Sequence, residues 1–251
     1  MKAYLEWGAD KVTIDRIEPT HYFRNRMVLR LIKKLSKKHQ IKEVCEIGCG
    51  TGSLSLNLGK SGLKVDAFDI DKNAVALAKN FSSNKNVRYI SKDALYINSS
   101  RKYDMVMAIE VLEHIKEDSK VLLRLKNILN KNGILFITAP IHEKYRKSFD
   151  NRSGHIRRYN PDDLLQKVRN AGFDVQYVRY FNFPLLWVWY FRAYIPYSDR
   201  KEREVSALKS KRLPKYAWIV RILNKLFFLD MLFNSKKYST DMLVIGKKRN
   251  N

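Results

Sequence analysis

Cysteine is almost missing: the 251-residue chain has two, Cys45 and Cys49. Four positions apart, they supply neither paired zinc-ligand spacing nor a disulfide framework, and they read as small, reduced, buried residues of a cytoplasmic protein. Acid is also scarce, with 25 Asp+Glu against 49 Lys+Arg and a formal charge of +24. Residues 44–140 are close to balanced, at 14 basic against 10 acidic, whereas residues 200–251 hold 14 against 4. That asymmetry points to an anionic partner, either nucleic acid or phospholipid headgroups, with a plain lysine-rich solvated surface as the alternative. The first eleven residues contain no apolar h-region, so no signal peptide is expected. There is no internal repeat. With 45% hydrophobic and 12% aromatic residues, the composition is globular and sufficient for one substantial core.

What is present centres on Val44-Cys45-Glu46-Ile47-Gly48-Cys49-Gly50-Thr51-Gly52. An apolar run ends in an acid, then three glycines alternate with small residues before the periodicity turns helical. Glycine serves where a backbone turns tightly or approaches a ligand without a Cβ in the way. Strand, glycine turn and helix N-terminus together make a nucleotide-binding corner. On its own the motif also fits an ordinary tight turn.

The rest of the pattern alternates. An amphipathic helix over Thr20–Ile32 precedes the motif, and the charged run Lys33–Lys42 leads out of it. A short helix carrying Leu54, Leu56 and Leu58 follows. Strands are expected at Leu63–Ile70, Val87–Ser91, Tyr103–Ile109, Gly133–Ala139 and Phe173–Phe181. Helices are expected at Asn73–Phe81, Asp118–Leu129 and Pro161–Ala171, and a last strand at Asp241–Ile245. Such alternation predicts an α/β fold, a doubly wound parallel sheet with helices on both faces.

Four carboxylates then fall at successive strand ends: Glu46, Asp69 (17 residues after Gly52), Asp93 and Glu110. A parallel sheet binds ligands at the carboxyl ends of its strands. Four acids there suit a ligand with a cationic centre and free hydroxyls better than a diphosphate. Asp66 and Asp71 read as solvated or capping residues, and Glu117 and Asp118 as a helix start.

At these residues the chain resembles the class I S-adenosylmethionine-dependent methyltransferases, from about Thr20 to Phe181 with the final strand in addition. Glu46–Gly52 (E-I-G-C-G-T-G) is similar to the family's first motif, and Val65–Asp71 (V-D-A-F-D-I-D) to its ribose-binding strand end. Ser91–Leu95 is similar to its adenine-contacting turn, and Tyr103–Ile115 to its fourth motif. The resemblance implies a single methyltransferase domain over residues 1–251. Its Rossmann-like sheet would have seven mostly parallel strands, with S-adenosyl-L-methionine as cofactor. Carried over by position, Asp69 with Ile70 beside it would hold the ribose, and Gly48, Cys49 and Gly50 the methionine part. Glu46 would lie near the amino or sulfonium side, Asp93 with the Ala94 amide at the adenine, and Glu110 would complete the cofactor-binding acids at the fourth strand end. Arg26 would pair with the methionine carboxylate. A nicotinamide dehydrogenase, the rival for this corner, prefers a longer last glycine interval.

The methyl acceptor is less marked. An oxygen acceptor needs a base within reach, and Glu113 and His114 follow the fourth strand; His114 is the candidate base, with a capping or packing histidine as the bland alternative. Glu110, Glu113 and His114, at i, i+3 and i+4, resemble E-x-x-E-H motifs that hold a divalent metal in some relatives and none in others; no metal is assigned. Gly154-His155-Ile156-Arg157-Arg158-Tyr159 resembles a loop after the fifth strand that lines acceptor pockets, which makes His155, Arg157 and Tyr159 candidates, with His142 weaker. Residues 183–239 form an expected aromatic-rich helical insertion that carries Trp187, Trp189 and Trp218. Its apolar helices with basic neighbours suit peripheral contact with an anionic membrane, against an acceptor lid or dimer interface. Two functions follow as expectations. The first is O-methylation of a lipid-linked, glycan or small hydrophobic acceptor at the membrane surface. The second is RNA methylation using the basic surface, disfavoured because no exposed stacking sheet accompanies the charge.

Overall fold

In the computed structural model, which describes residues 19–81, 84–97, 101–146, 148–182 and 233–250, the chain starts with a long helix, α1 (Pro19–His39). It continues as β1 (Glu43–Ile47), α2 (Ser53–Lys60), β2 (Lys64–Asp69), α3 (Lys72–Phe81) and β3 (Val87–Ser91). Then come β4 (Tyr103–Ile109), α4 (Asp118–Ile128), β5 (Leu129–Pro140), α5 (Ser148–Ser153), α6 (Pro161–Asn170), β6 (Phe173–Phe181) and β7 (Asp241–Lys248). The strands form one seven-stranded sheet in the order β3-β2-β1-β4-β5-β7-β6. The first five are parallel; β7 runs antiparallel between β5 and β6. The order reverses between β1 and β4, so the crevice for a ligand opens beyond the ends of those strands.

Successive residues of the central strands feed opposite cores, as the two-residue period of a strand requires. Cys45, Ile47, Val106, Ala108, Leu135 and Ile137 face α4 and α6, packing with Leu122, Leu125, Leu164 and Val168. Val44, Val65, Ala67, Met105, Met107 and Phe136 face the other way, against Met27, Ile32, Leu54, Leu58 and Val75. Strands covered on both faces read as continuous apolar runs, which is why β1 and β4 were legible without side-chain alternation.

Several boundaries differ from expectation. Helix α1 runs on to His39 and absorbs the lysine run, because Met27, Val28 and Ile32 bury one face while Lys33, Lys34 and Lys37 stay on the other. Strand β5 begins at Leu129, four residues early; its register against β4 jumps from Tyr103↔Leu129 to Met105↔Ile134, with Asn132 at φ 61° in the detour. Strand β7 extends to Lys248 because its end pairs with both β5 and β6. Asp66 is not solvated: it is 2% exposed and accepts from Arg88 Nε (2.6 Å) and Tyr103 Oη (2.7 Å). Burial alone would raise its pKa, but those bonds outweigh it and hold the carboxyl below the usual range. Asp71 does cap, accepting from Asn73 N at 2.8 Å.

Of the insertion expected at 183–239, residues 183–232, with Trp187, Trp189 and Trp218, lie outside the described residues. Those from 233 to 239 form turns without helix. Among the described residues no helix is long and apolar enough to cross a membrane.

Candidate active site

The glycine corner joins β1 to α2. Gly48, Gly50 and Gly52 all have positive φ, at 70°, 53° and 77°. At Gly48 a Cβ would lie 2.4 Å from Val111 Cγ2, so the protein's own packing requires glycine there in addition to the left-handed backbone. A Cβ at Gly50 would meet nothing within 4 Å, which leaves that edge of the turn open to a ligand, while its N–H is already committed to Asp69. Cys49 contributes through its backbone: the thiol is buried, burial pushes its pKa up, and its amide donates to Phe68 O at 3.0 Å.

Asp69, at the end of β2, is held by two backbone amides. Gly50 N donates to Oδ2 at 2.7 Å and Asp71 N to Oδ1 at 2.9 Å. Each oxygen keeps a second lone pair, so a vicinal diol can still be taken in bidentate fashion. Ile70 beside it is 70% exposed, a flat apolar neighbour for a nucleoside. Lys92 N reaches Asp69 O at 2.8 Å and aligns the end of β3. There Asp93 Oδ1 accepts from Leu95 N at 2.9 Å, which opens a 3-10 turn over Ala94–Tyr96. The open edge at Gly50, preset Asp69, exposed Ile70 and Asp93 at the next strand end together fit an adenosyl group.

Two of the acids behave otherwise than expected. Glu46 is 3% exposed, takes a hydrogen bond from Ser55 Oγ on α2, and is pushed by burial up to about 8. It is therefore mostly protonated at neutral pH, a buried hydrogen-bonding group and not a counter-charge. Glu110 has φ 55°, an unusual backbone for a non-glycine residue, and its Oε1 accepts from Thr138 Oγ1 at 2.7 Å. Arg24 Nη1, from α1, lies 3.6 Å from its Oε2, while Arg26, the arginine singled out in the sequence, is exposed.

That kink at Glu110 also separates the acids that spacing placed together. The following residues form a 3-10 turn, Leu112–His114, instead of an α-helix, so Glu110, Glu113 and His114 do not share one face. Glu113 turns inward with 0% exposure, and both its carboxylate oxygens lack a hydrogen-bond partner. Burial, and then the Glu110 charge, push its pKa well above the usual range. His114 Nε2 and His155 Nε2 lie 3.8 and 3.9 Å from Glu113 Oε1. The two imidazoles meet edge to face with centroids 4.8 Å apart. Burial and the neighbouring His155 hold His114 below the ordinary imidazole value. Among the described residues, Glu113, His114 and His155 are the group whose ligand atoms come within 4.8 Å of one another; Glu110 is not among them.

The loop after β5 divides differently from its sequence reading. His155 joins the cluster. Arg157 and Tyr159 do not line a pocket: Arg157 Nη1 (2.7 Å) and Tyr159 Oη (2.8 Å) both reach Asp118, and Tyr159 is buried. Asp118 starts α4 as expected but is 2% exposed, and Lys167 Nζ also contacts it at 2.7 Å. His142, with φ 62°, places Nε2 2.6 Å from Lys236 O, away from the cluster. Asp150, missed in the sequence, lies 2.9 Å from His155 Nδ1; its only signal was an acid five residues before that histidine, where α5 was read as loop.

A family model described as "Methyltransferase domain" matches residues 20–178. A ubiquinone biosynthesis O-methyltransferase from Nitrosospira multiformis is 30% identical over 154 residues, 55% of this chain and 64% of that protein. A malonyl-[acyl-carrier protein] O-methyltransferase from Halalkalibacterium halodurans is 28% identical over 150 residues, 52% and 55% of the respective chains. The chain thus covers less than two thirds of either relative. Among solved structures, magnesium protoporphyrin IX methyltransferase from Synechocystis PCC 6803, with bound SAH, superposes with TM-score 0.58 at 14% identity, over 91% of this chain and 84% of that one. The [4+2]-cyclase SpnF does so with TM-score 0.57 at 17% identity, over 89% and 82%. At such identities the structural likeness concerns the fold alone.

Proposed function

The chain belongs to the methyltransferase-domain family, and from that premise we propose that it is a class I methyltransferase acting on an oxygen of a small acceptor. The observation that carries the reading is Asp69, set by the Gly50 and Asp71 amides at the switch point of the sheet, with exposed Ile70 beside it. S-adenosyl-L-methionine supplies an electrophilic methyl group, which leaves alignment of the nucleophile as the protein's main task. Asp69 accepts the ribose hydroxyls, Gly48 and Gly50 admit the methionine part, and Asp93 with the Ala94 amide takes the adenine. Arg24, beside Glu110, serves the carboxylate end in place of the exposed Arg26. On the acceptor side His114 takes the hydroxyl proton: its depressed pKa keeps it neutral at pH 7, the state a base requires. The relatives' printed names, one for quinone biosynthesis and one for a malonyl carrier, both describe O-methylation, and they support an oxygen acceptor.

Calorimetry with S-adenosylhomocysteine tests the cofactor half. Asp69→Ala removes a bidentate charged acceptor and is expected to weaken binding about 10- to 100-fold; equal affinity would refute the assignment. A panel of prenylated phenols and a malonyl carrier thioester tests the acceptor half by transfer of labelled methyl.

We further propose that the aromatic and basic stretch 183–233 brings the protein, in the cytoplasm, to an anionic membrane. The support is compositional: Trp187, Trp189 and Trp218 interleave with a lysine- and arginine-rich sequence. Co-sedimentation with phosphatidylserine vesicles should be lost when the three tryptophans become alanine. Tight, salt-steep RNA binding with no vesicle binding would overturn this and favour an RNA substrate.

A further inference from the structure

Both histidines of the cluster use Nδ1 on a protein oxygen. His114 Nδ1 lies 3.1 Å from Gly154 O, and His155 Nδ1 lies 2.9 Å from Asp150 Oδ1. A carbonyl and a carboxylate only accept, so each neutral ring carries its proton on Nδ1 and keeps the Nε2 lone pair for the cluster. The two supports are built differently. The carbonyl belongs to the loop itself. Asp150 is a buried side chain, 1% exposed, and Arg158 clamps the same Oδ1 through Nε (2.9 Å) and Nη2 (2.8 Å). The backbone repeats the link: His155 N donates to Asp150 O at 2.9 Å. Arg158 pairs with the Asp150 carboxylate by charge, and it is itself buried, at 8% side-chain exposure. A buried aspartate and arginine under one exposed-edge histidine is more apparatus than loop closure needs, because the backbone bond already closes it.

We propose that Asp150 is a positioning residue for the acceptor side of the site: it pins His155 as the Nδ1–H tautomer, so that its Nε2 lone pair and that of His114 share, in one three-centre hydrogen bond, the single hydrogen of a hydroxyl lying between the two imidazoles. This deepens the oxygen-acceptor reading and rests on it. The O–H bond breaks toward His114 Nε2 as the oxygen forms its bond to the methyl group and the methyl–sulfur bond breaks. His155 Nε2, which shares that one hydrogen beforehand, sets the direction in which the O–H points. The ring of His155 is 10% exposed, and Nε2 stands 3.9 Å from Glu113 Oε1, beyond hydrogen-bond distance, so the lone pair is not consumed there. Without Asp150 the ring could flip or change tautomer and present N–H, which would face the acceptor hydroxyl with a donor where an acceptor is needed.

Two measurements test this on the intact chain. Long-range ¹H–¹⁵N spectra of the histidines report tautomer without any turnover. Wild type and Asp150→Asn, which retains an oxygen for Nδ1–H, should show the Nδ1–H form of His155, and Asp150→Ala a mixture. Turnover of a prenylated phenol should then show KM raised about tenfold in Asp150→Ala, the scale of one lost neutral hydrogen bond. Asp150→Asn should restore it to within about threefold, and S-adenosylhomocysteine affinity should not change in either. In a His155→Ala background Asp150→Ala should add nothing further to KM. An Asp150→Ala variant that loses thermal stability but keeps the His155 tautomer, or keeps its KM, would overturn the assignment. Failure of every phenol and carboxylate acceptor in the wild type would instead count against the oxygen-acceptor reading, while the spectra still decide whether Asp150 sets the ring.

Discussion

Tyr159 Oη sits between two elements that sequence never brings together, 2.8 Å from Asp118 Oδ2 at the start of α4 and 3.0 Å from Leu112 O in the turn that carries Glu113 and His114. The phenol therefore fixes the candidate base from behind. Its own pKa is driven far up, first by burial and then by the hydrogen bond to Asp118, so it remains a neutral donor at any working pH.

Tyr159→Phe should consequently act as a stability variant with a local effect on the site. Asp118 keeps Arg157 and Lys167, so the loss belongs at the low end for a buried hydrogen bond to a charged group, about 1–2 kcal/mol. Urea unfolding gives this number. S-adenosylhomocysteine affinity should stay unchanged; a drop in cofactor affinity with no change in stability would contradict the placement.

Glu46 makes stability depend on pH with a definite sign. Its folded pKa, about 8, lies above the ordinary 4.5, so between those values the folded protein holds a proton that the unfolded chain has released. Stability from this group is therefore highest below about pH 4.5 and falls as pH rises through about 8, by up to about 1.4 kcal/mol per pH unit in between. Glu46→Gln cannot titrate. Unfolding at pH 5 and pH 8.5 should show the variant gaining on wild type at the higher pH by a few kcal/mol. A constant difference would mean that Glu46 is ionised in the folded protein across this window, its pKa not raised above that of the unfolded chain.

His114→Ala should lower kcat about 10²-fold or more, the usual scale of a lost general base. In wild type, the burial and His155 that depress the His114 pKa should move the acid limb of the kcat profile below the ordinary histidine value of about 6.5. Unchanged turnover in the alanine variant would remove His114 as base.

Gly48→Ala combines a left-handed backbone, φ 70°, with a Cβ only 2.4 Å from Val111 Cγ2. A cost on the order of 1–3 kcal/mol follows from the backbone alone. Val111→Ala in the same chain should recover the steric part and not the backbone part. Full recovery would show that conformation at this position costs nothing.

The sheet was legible because its cause is local. Apolar runs such as Val44–Ile47 and Tyr103–Ile109, separated by helical periodicity, admit little besides parallel strands covered on both faces. The same runs end in the acids that mark the ligand edge, so Asp69 and Asp93 could be placed by counting. The boundaries that slipped, at His39 and Leu129, are those where a solvated lysine face or a register jump carries no apolar signal.

The acceptor side was only half legible, since contact there is made across distances the chain order hides. Spacing alone grouped Glu110 with Glu113 and His114; one positive φ at Glu110 separated them and brought in His155 from 41 positions beyond His114. Asp66 read as solvated or capping, Asp118 as a helix start, and Asp150 carried no assignment, because nothing local distinguishes a solvated carboxylate from one that long-range folding buries against arginine, lysine or tyrosine. Sequence by itself therefore determined the fold, the glycine corner and the row of acids at the strand ends, each encoded in consecutive residues. Tertiary structure decided which acids ionise, which histidines meet and what orients them, because burial and charge pairing are properties of neighbours that only folding supplies.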